Sequence, residues 1–188
     1  MTSQPTSKLS QLEHLMQQII DSDVCAELAA QASQLVPGVG NPDADIVFIG
    51  EAPGKKEDEQ GEPFVGASGK LLNELLDSID LTRKNVYVTN IVKYRPPDNR
   101  DPSSKEKQQF VEYLSKELAI IEPNVIVTLG RHALNSFLPN LRISEVHGQV
   151  QTEQDSVLLP LYHPAAALYN GSLRQTLFDD FMRLRQFS

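Results

Sequence analysis

A short apolar stretch that leads into a long glycine-rich loop constrains this chain most. Residues 46–49 read Ile-Val-Phe-Ile, which is typical of a strand buried on both faces. Gly50 ends this strand, and roughly twenty residues follow before a helical pattern begins, whereas connections between strands and helices usually hold about 2–6 residues. A loop of this length is typical of a functional site. Its many Gly and Pro residues predict that no helix begins directly after the strand.

The loop has the composition of a ligand-binding segment. Gly50, Gly54 and Gly66 allow backbone angles that other residues avoid, so the loop can fold tightly around a flat ligand and present amide groups to it. Glu51, Glu57 and Phe64 would then face that ligand. The alternative is an ordinary connecting turn, but the apolar pair Phe64 and Val65 argues against disorder.

The length and composition of the chain predict one domain. Its 188 residues, 40% of them apolar, suffice for one core. We expect residues 1–8 to form a flexible tail and residues 9–188 a single domain. No apolar run reaches the roughly 18 residues that span a bilayer, so we expect a soluble, cytoplasmic protein that needs no membrane. The single cysteine, Cys25, excludes an internal disulfide and a cluster held by several thiolates.

Alternating elements predict an α/β fold with three layers, helices on both faces of a central four-stranded parallel sheet. The strands are expected at 46–49, 85–92, 124–129 and 157–161. The helices are expected at 9–35 in two runs, at 70–79, from a cap at Ser103 or Ser104 to Ile121, at 132–138 and at about 172–185. Ligands bind beyond the carboxyl ends of strands in such sheets. Four residues found separately, Glu51, Asn90, Gly130 and His163, each follow a different strand and should meet at that edge.

Two of these residues are suited to a flat heterocycle. Asn90 offers a donor and an acceptor in one plane, and His163 can donate a hydrogen bond to a developing negative charge or act as acid or base. Both can instead be structural, Asn90 as a turn residue and His163 as a buried histidine. His14, His132 and His147 have no partners at metal-ligand spacing, so we assign them no role.

Five separated motifs together resemble the uracil-DNA glycosylase superfamily, and its family-4 branch in particular. The resemblance runs in the family's order from about residue 23 to the C-terminus. The motifs are Gly50–Gly54 with Glu57-Asp58, Pro63–Gly66, Thr89–Lys93 with Arg95–Pro97 and Asn99-Arg100, Leu129-Gly130, and Tyr162–Pro164.

The resemblance implies that a uracil nucleotide is flipped out of DNA and its N-glycosidic bond is hydrolysed, leaving an abasic site. It implies catalytic roles for Glu51, Glu57 and His163: His163 stabilises the leaving base, and the glutamates position water or balance the positive charge of the sugar. It also implies that Phe64 stacks on the base and that Asn90 reads its polar edge. The full set of implied uracil-binding residues is Gly50, Ala52, Gly54, Phe64, Asn90 and His163. The implied DNA contacts are Lys93, Arg95, Arg131 and Tyr169.

The chain departs from the family pattern in two places. Family-4 enzymes hold an iron–sulfur cluster through four cysteines, and this chain has Asp23, Ala26, Tyr94 and Phe110 at those positions. We therefore expect no cluster, no other cofactor and no metal, with Tyr94 and Phe110 packing in its place. The loop after His163 also differs and carries Tyr169, which would wedge into a duplex differently or favour single strands.

Other functions remain open from the sequence. A glycosylase for another deaminated base, such as hypoxanthine or xanthine, would use the same chemistry. A non-catalytic nucleic-acid-binding or protein-interaction module on the same fold would fit the missing cluster cysteines, the altered loop after His163 and the net charge of −8. This charge opposes non-specific binding to nucleic acid. A nucleotide-phosphate enzyme is disfavoured because no phosphate-binding motif is present. The expected partner is uracil-containing DNA, single- or double-stranded, bound by a monomer.

Overall fold

The computed structural model describes residues 7–188. Its sheet has six strands in the order β1-β3-β2-β4-β6-β5. The strands are β1 (Val39–Gly40), β2 (Ile46–Gly50), β3 (Tyr87–Asn90), β4 (Val125–Leu129), β5 (Gln151–Glu153) and β6 (Ser156–Leu161). The four central strands β3, β2, β4 and β6 are parallel, as the sequence predicts.

The prediction of a four-stranded sheet was incomplete, because two antiparallel edge strands extend it. Strand β1 has only two residues and lies in a segment that reads as a turn. Strand β5 is polar and largely exposed, and it forms a hairpin with β6. Edge strands pair through their backbones and need not show an apolar side-chain pattern, which is why neither was predicted.

Nine α-helices surround the sheet within residues 7–188. They are α1 (Lys8–Asp21), α2 (Ala26–Ala29), α3 (Lys55–Gln60), α4 (Ala67–Asp77), α5 (Ser104–Ile121), α6 (Gly130–Phe137), α7 (Ile143–Val146), α8 (Pro164–Ala167) and α9 (Gly171–Phe181), with short 3-10 helices at Pro97–Asn99 and Met182–Gln186. Helix α3 corrects the expectation of a helix-free loop, since it begins five residues after β2 ends at Gly50. None of these helices is both long and apolar enough to cross a membrane.

Two buried clusters confirm the three layers. Side chains of a strand alternate between the two faces of the sheet, and in β2 Val47 and Ile49 pack on one face while Ile46 and Phe48 pack on the other. Helices α1 and α5 cover the first face, and α4 and α9 cover the second. The site loops at the strand ends therefore rest on a core that is closed on both sides.

The N-terminal boundary differs from the expected tail of residues 1–8. Ser7 caps α1 by accepting a hydrogen bond from the Ser10 amide at 3.1 Å. Lys8 begins the helix, and its Nζ donates to the Ile121 carbonyl at 2.8 Å. Residues 7 and 8 thus belong to the folded domain, whereas residues 1–6 lie outside the described part of the chain.

Candidate active site

A small cavity of about 170 Å³ lies at the carboxyl edge of the sheet. Most of the residues that the sequence analysis assigned to base binding line it. Its lining residues are Ala52, Gly54, Glu57, Phe64, Ser68, Asn90 and His163. This base pocket, as we call it, confirms that the side chains following separate parallel strands converge.

Phe64 forms one wall of the base pocket in a constrained conformation. It is buried, and its φ of 55° lies in the left-handed region that a bulky residue seldom adopts. Its carbonyl accepts a hydrogen bond from Arg83 Nη2 at 2.7 Å. Its ring lies 5.6 Å from that of His163, with 26° between the planes. The ring is therefore fixed before any ligand arrives.

The glycines of the loop provide space, which differs from the conformational role that the sequence suggested. Gly54 and Gly66 have φ values of −87° and −79°, which other residues also adopt. A Cβ on Gly50 would overlap the Asn90 side chain and lie 2.7 Å from the Phe64 ring. Gly50 is therefore required because Asn90 and Phe64 approach its backbone closely.

Asn90 ends β3 and is 3% exposed. It pairs with Gly50 on the neighbouring parallel strand. Its backbone carbonyl accepts a hydrogen bond from Lys93 Nζ at 2.9 Å. Asn90 also lines the base pocket. A buried amide with its donor and acceptor held by a strand end can read one edge of a flat base.

His163 is held as a neutral hydrogen-bond donor. Its Nδ1 accepts a hydrogen bond from the Ala165 amide at 3.0 Å, so the proton of the neutral ring lies on Nε2. Burial lowers the pKa of His163 to about 4, although the negative charge of Glu57 opposes this shift. The imidazole therefore carries no charge at neutral pH and can donate from Nε2.

Glu57 ties two segments of the loop together. Its Oε1 accepts hydrogen bonds from the amides of Val65, at 3.0 Å, and Gly66, at 2.9 Å. These bonds join α3, which carries Glu57, to the segment that leads into α4. Glu57 thus lines the base pocket and also fixes the backbone next to Phe64.

Glu51 lies in a larger, adjoining cavity of about 480 Å³, which shares Ala52, Gly54 and His163 with the base pocket. Burial, followed by the negative charge of Asp101, raises the pKa of Glu51 to about 7. Within residues 7–188, its buried Oε1 has no hydrogen-bond partner. The two glutamates therefore occupy different places, Glu57 in the lining of the base pocket and Glu51 in the lining of the adjoining cavity.

Lys93 does not fit its expected role as a DNA contact. Its side chain is fully buried and donates to Glu117 Oε2 at 2.6 Å, to the Asn90 carbonyl and to Thr89 Oγ1. A side chain without exposed surface cannot reach a phosphate, so that prediction was wrong.

The other three expected DNA contacts lie at the surface. Arg131 has 69% of its side chain exposed, and Tyr169 is 97% exposed. Arg95 is half-buried and donates to Asn99 Oδ1 at 2.7 Å. All three stay predictions.

The four positions of the family's cluster cysteines do not fit an iron–sulfur cluster. The chain holds one cysteine, whereas such clusters need about four thiolates. Tyr94 and Phe110 instead pack edge to face, with ring centroids 6.2 Å apart, in the core that also contains Cys25. Burial raises the pKa of the Cys25 thiol, which disfavours a thiolate.

Four residues of the site escaped sequence reasoning. Ser68 lines the base pocket from the first turn of α4, and Arg83 holds Phe64 from outside the pocket. His132 and Asp101 lie near Glu51. No local pattern distinguishes these residues from ordinary surface polar residues. The one available signal was that His132 and Asp101 lie close to two of the predicted strand-end loops.

Comparison with known proteins identifies the family. The family model described as the uracil DNA glycosylase superfamily matches residues 37–184. The chain is 45% identical over 186 residues to the type-4 uracil-DNA glycosylase of Archaeoglobus fulgidus, covering 94% of this chain and 92% of that protein. It is 41% identical to the type-4 uracil-DNA glycosylase of Sulfurisphaera tokodaii, covering 96% of this chain and 86% of that protein. It is 36% identical to that of Thermotoga maritima, covering 94% of this chain and 95% of that protein. The chain therefore belongs to the uracil-DNA glycosylase superfamily.

Proposed function

We propose that this protein is a monofunctional uracil-DNA glycosylase, which hydrolyses the N-glycosidic bond of uracil in DNA and leaves an abasic site. The base pocket carries this proposal, because Phe64, Asn90 and His163 enclose a space suited to a single base. The relatives at 36–45% identity are named as uracil-DNA glycosylases of type 4, which supports the same activity here.

The pocket residues have complementary roles toward a flipped base. The Phe64 ring provides a stacking face, and the Asn90 amide can pair with the donor and acceptor groups on the polar edge of uracil. His163 donates from Nε2 to an oxygen of the base that becomes negative as the bond breaks. A neutral donor held in place needs no reorganisation during the reaction.

The sugar would occupy the larger cavity, next to Glu51. When the bond between the sugar and the base breaks, its electron pair goes to the base and the sugar carbon becomes positive. Ionised Glu51 would stabilise that positive charge and orient the water that adds to the carbon. The hydroxyl of the water ends on the sugar, and its proton ends on the base. Glu57 supports this chemistry by fixing the loop and closing the pocket.

The DNA strand would follow the exposed residues around both cavities. Arg95 and Arg131 are suited to phosphate contacts, and Tyr169 is suited to a wedge or a stacking contact with an unpaired base. Release compared between single- and double-stranded substrates shows which strand context this surface accepts.

The test is base release from an oligonucleotide with one deoxyuridine, presented single-stranded and opposite G or A. We expect release by the wild type and a loss of at least about 100-fold in Asn90→Ala and His163→Ala. His14→Ala, an exposed histidine on α1, is the matched control and should keep the wild-type rate. Absence of release from folded wild type in every context would overturn the proposal, and release of hypoxanthine or xanthine instead would replace uracil as the substrate.

We further infer that the activity requires no iron–sulfur cluster, because one cysteine cannot supply the ligands and aromatic packing occupies two of the four positions. Purified protein should contain no stoichiometric iron or acid-labile sulfide and should stay active with chelator. Phe110→Ala should destabilise the fold by about 3–5 kcal/mol, and Tyr94→Ala should also lower its unfolding temperature. Stoichiometric iron in active protein, or unchanged unfolding temperatures in both variants, would contradict this inference.

A further inference from the structure

His132 lies between two carboxylates, beside the larger cavity. Its Nδ1 is 3.5 Å from Glu51 Oε1, and its Nε2 is 3.0 Å from Asp101 Oδ2. The three side chains come from different segments: the loop after β2, the loop before α5, and α6. One ring nitrogen of His132 and one carboxylate oxygen each of Glu51 and Asp101 all lie within 4.8 Å of one another. The fold therefore brings three titratable groups together beside the proposed position of the sugar.

The contact with Nδ1 involves the oxygen of Glu51 that lacks a partner. Within residues 7–188, Oε1 is buried and accepts no hydrogen bond. A buried carboxylate oxygen without a donor is costly, and the nearby ring nitrogen can relieve that cost in two ways. An N–H at Nδ1 would donate to ionised Glu51, whereas a lone pair at Nδ1 would accept the proton of a protonated Glu51.

The neighbours of His132 Nε2 act on the balance between these two arrangements in opposite directions. Asp101 Oδ2 favours a proton on Nε2, which leaves the lone pair on Nδ1 facing Glu51. Arg131 Nε lies 3.1 Å from the same nitrogen and can donate to it, which favours the tautomer with its proton on Nδ1. Since neutral imidazole carries one N–H, the two contacts compete and have opposite effects on Glu51.

We propose that His132, placed between Asp101 and Arg131, is a positioning residue that sets the protonation state of Glu51. In the enzyme, the protonation state of Glu51 would fix the pH at which base release becomes fast. This consequence rests on the proposed function, in which ionised Glu51 orients the water.

The surrounding charges are consistent with this role. Asp101 opposes ionisation of Glu51, whereas Lys107 on α5 and Arg131 on α6 favour it. Together with burial they leave the pKa of Glu51 at about 7. Burial lowers the pKa of His132, so the ring is neutral near pH 7. Its tautomer, rather than its charge, then acts on Glu51.

The first experiment is the rate of uracil release in single turnover, measured from pH 5 to pH 9. Wild type should show a rate that rises with pH, with a midpoint near 7. Asp101→Asn should lower the midpoint by about 0.5–1 unit, because a negative charge near Glu51 is removed. Asp98→Asn removes a charge from the neighbouring 3-10 helix, Pro97–Asn99, at an exposed position outside the cavity lining. It is the matched control, and its midpoint should be unchanged.

Variants of His132 separate proton placement from simple packing. His132→Phe keeps a ring but removes both the donor and the acceptor at Nδ1, so the midpoint should shift by about 1 unit, upward where the wild-type ring donates to ionised Glu51 and downward where it accepts from protonated Glu51. His132→Asn retains an N–H near the position of Nδ1 and should return the midpoint to the wild-type value or below it. A residue with only a structural role would lower the rate equally at all pH values. Equal midpoints in wild type, Asp101→Asn and His132→Phe, with all three folded by circular dichroism, would overturn the proposal.

A second experiment decides the same point without catalysis. The side-chain carboxyl carbons of glutamate are labelled, and the Glu51 signal is assigned by its loss in Glu51→Gln. Its titration midpoint in free protein should move in the same directions in Asp101→Asn and His132→Phe, with or without chelator. An unmoved midpoint, or one that depends on chelator, would refute the role of His132. Absence of uracil release at every pH would instead refute the proposed function and leave this titration to decide the role of His132.

Discussion

Replacement of Lys93 by methionine tests whether this lysine is a structural residue or a DNA contact. Lys93 and Glu117 form a fully buried ion pair, and the carboxylate also accepts hydrogen bonds from Tyr87 at 3.0 Å and from Thr89 at 3.1 Å. Methionine retains most of the length of the side chain but removes its charge. The variant would therefore leave the Glu117 carboxylate buried without its cation.

The structure sets the size of the effect. Removing one partner of a buried ion pair costs about 3–5 kcal/mol in the free energy of unfolding. For a protein of this length each kcal/mol shifts the unfolding temperature by about 2–4 °C, so we expect a decrease of about 6–20 °C. Adding Glu117→Gln to Lys93→Met should recover part of the loss, because the second change removes the uncompensated charge.

Two assays distinguish the alternatives. Thermal and urea unfolding measure stability, and affinity for an undamaged oligonucleotide at several salt concentrations measures phosphate contacts. Arg131→Gln is the control at an exposed position: its stability should change by no more than about 0.5 kcal/mol, and its salt slope should fall by about 0.9 on duplex DNA. Wild-type stability of Lys93→Met together with a reduced salt slope would refute the structural role and restore the DNA contact.

Three further predictions concern the base pocket. Gly50→Ala places a methyl group 2.7 Å from the Phe64 ring and against Asn90, so uracil release in single turnover should fall about 100-fold, and a wild-type rate would contradict the close approach. Arg83→Met removes the hydrogen bond to the Phe64 carbonyl, so free uracil should inhibit about 10-fold less well; an unchanged inhibition constant would show that Phe64 needs no support. His163 should stay neutral down to about pH 5 in an NMR titration, because its pKa in the fold is about 4; a midpoint near 6.5 would contradict this environment. Since a lowered histidine pKa means that the unfolded state binds more protons, the contribution of His163 to stability should decrease as the pH falls from about 6.5 to 4.

Much of the fold followed from local sequence patterns. The runs at residues 46–49 and 125–129, which are apolar except for Thr128, are buried in a parallel sheet that is covered on both faces, so their sequences are nearly continuously hydrophobic and are easily recognised. Helix α4 shows the helical spacing of its buried leucines. The convergence of Asn90 and His163 followed from one topological rule, because parallel strands have their carboxyl ends at the same edge.

The parts that sequence reasoning missed depend on partners distant in the chain. Lys93 follows a strand end, where lysine is usually exposed, and it is buried because Glu117, on α5, lies opposite it. His132 has no metal-ligand spacing in the sequence, yet the fold places it against Glu51 and Asp101. Arg83 reaches Phe64 from 19 residues away. None of these pairs has a local signature.

The sequence alone thus determined the four central strands, the longer helices and the edge at which the site forms, because backbone preference and hydrophobic periodicity act over a few neighbouring residues. Only the tertiary structure decided the environment of each ionisable group: a buried cation at Lys93, a neutral donor at His163 and a carboxyl group with a raised pKa at Glu51. The reason is physical, since desolvation and charge pairing depend on distances of a few ångströms between segments that the chain order leaves far apart.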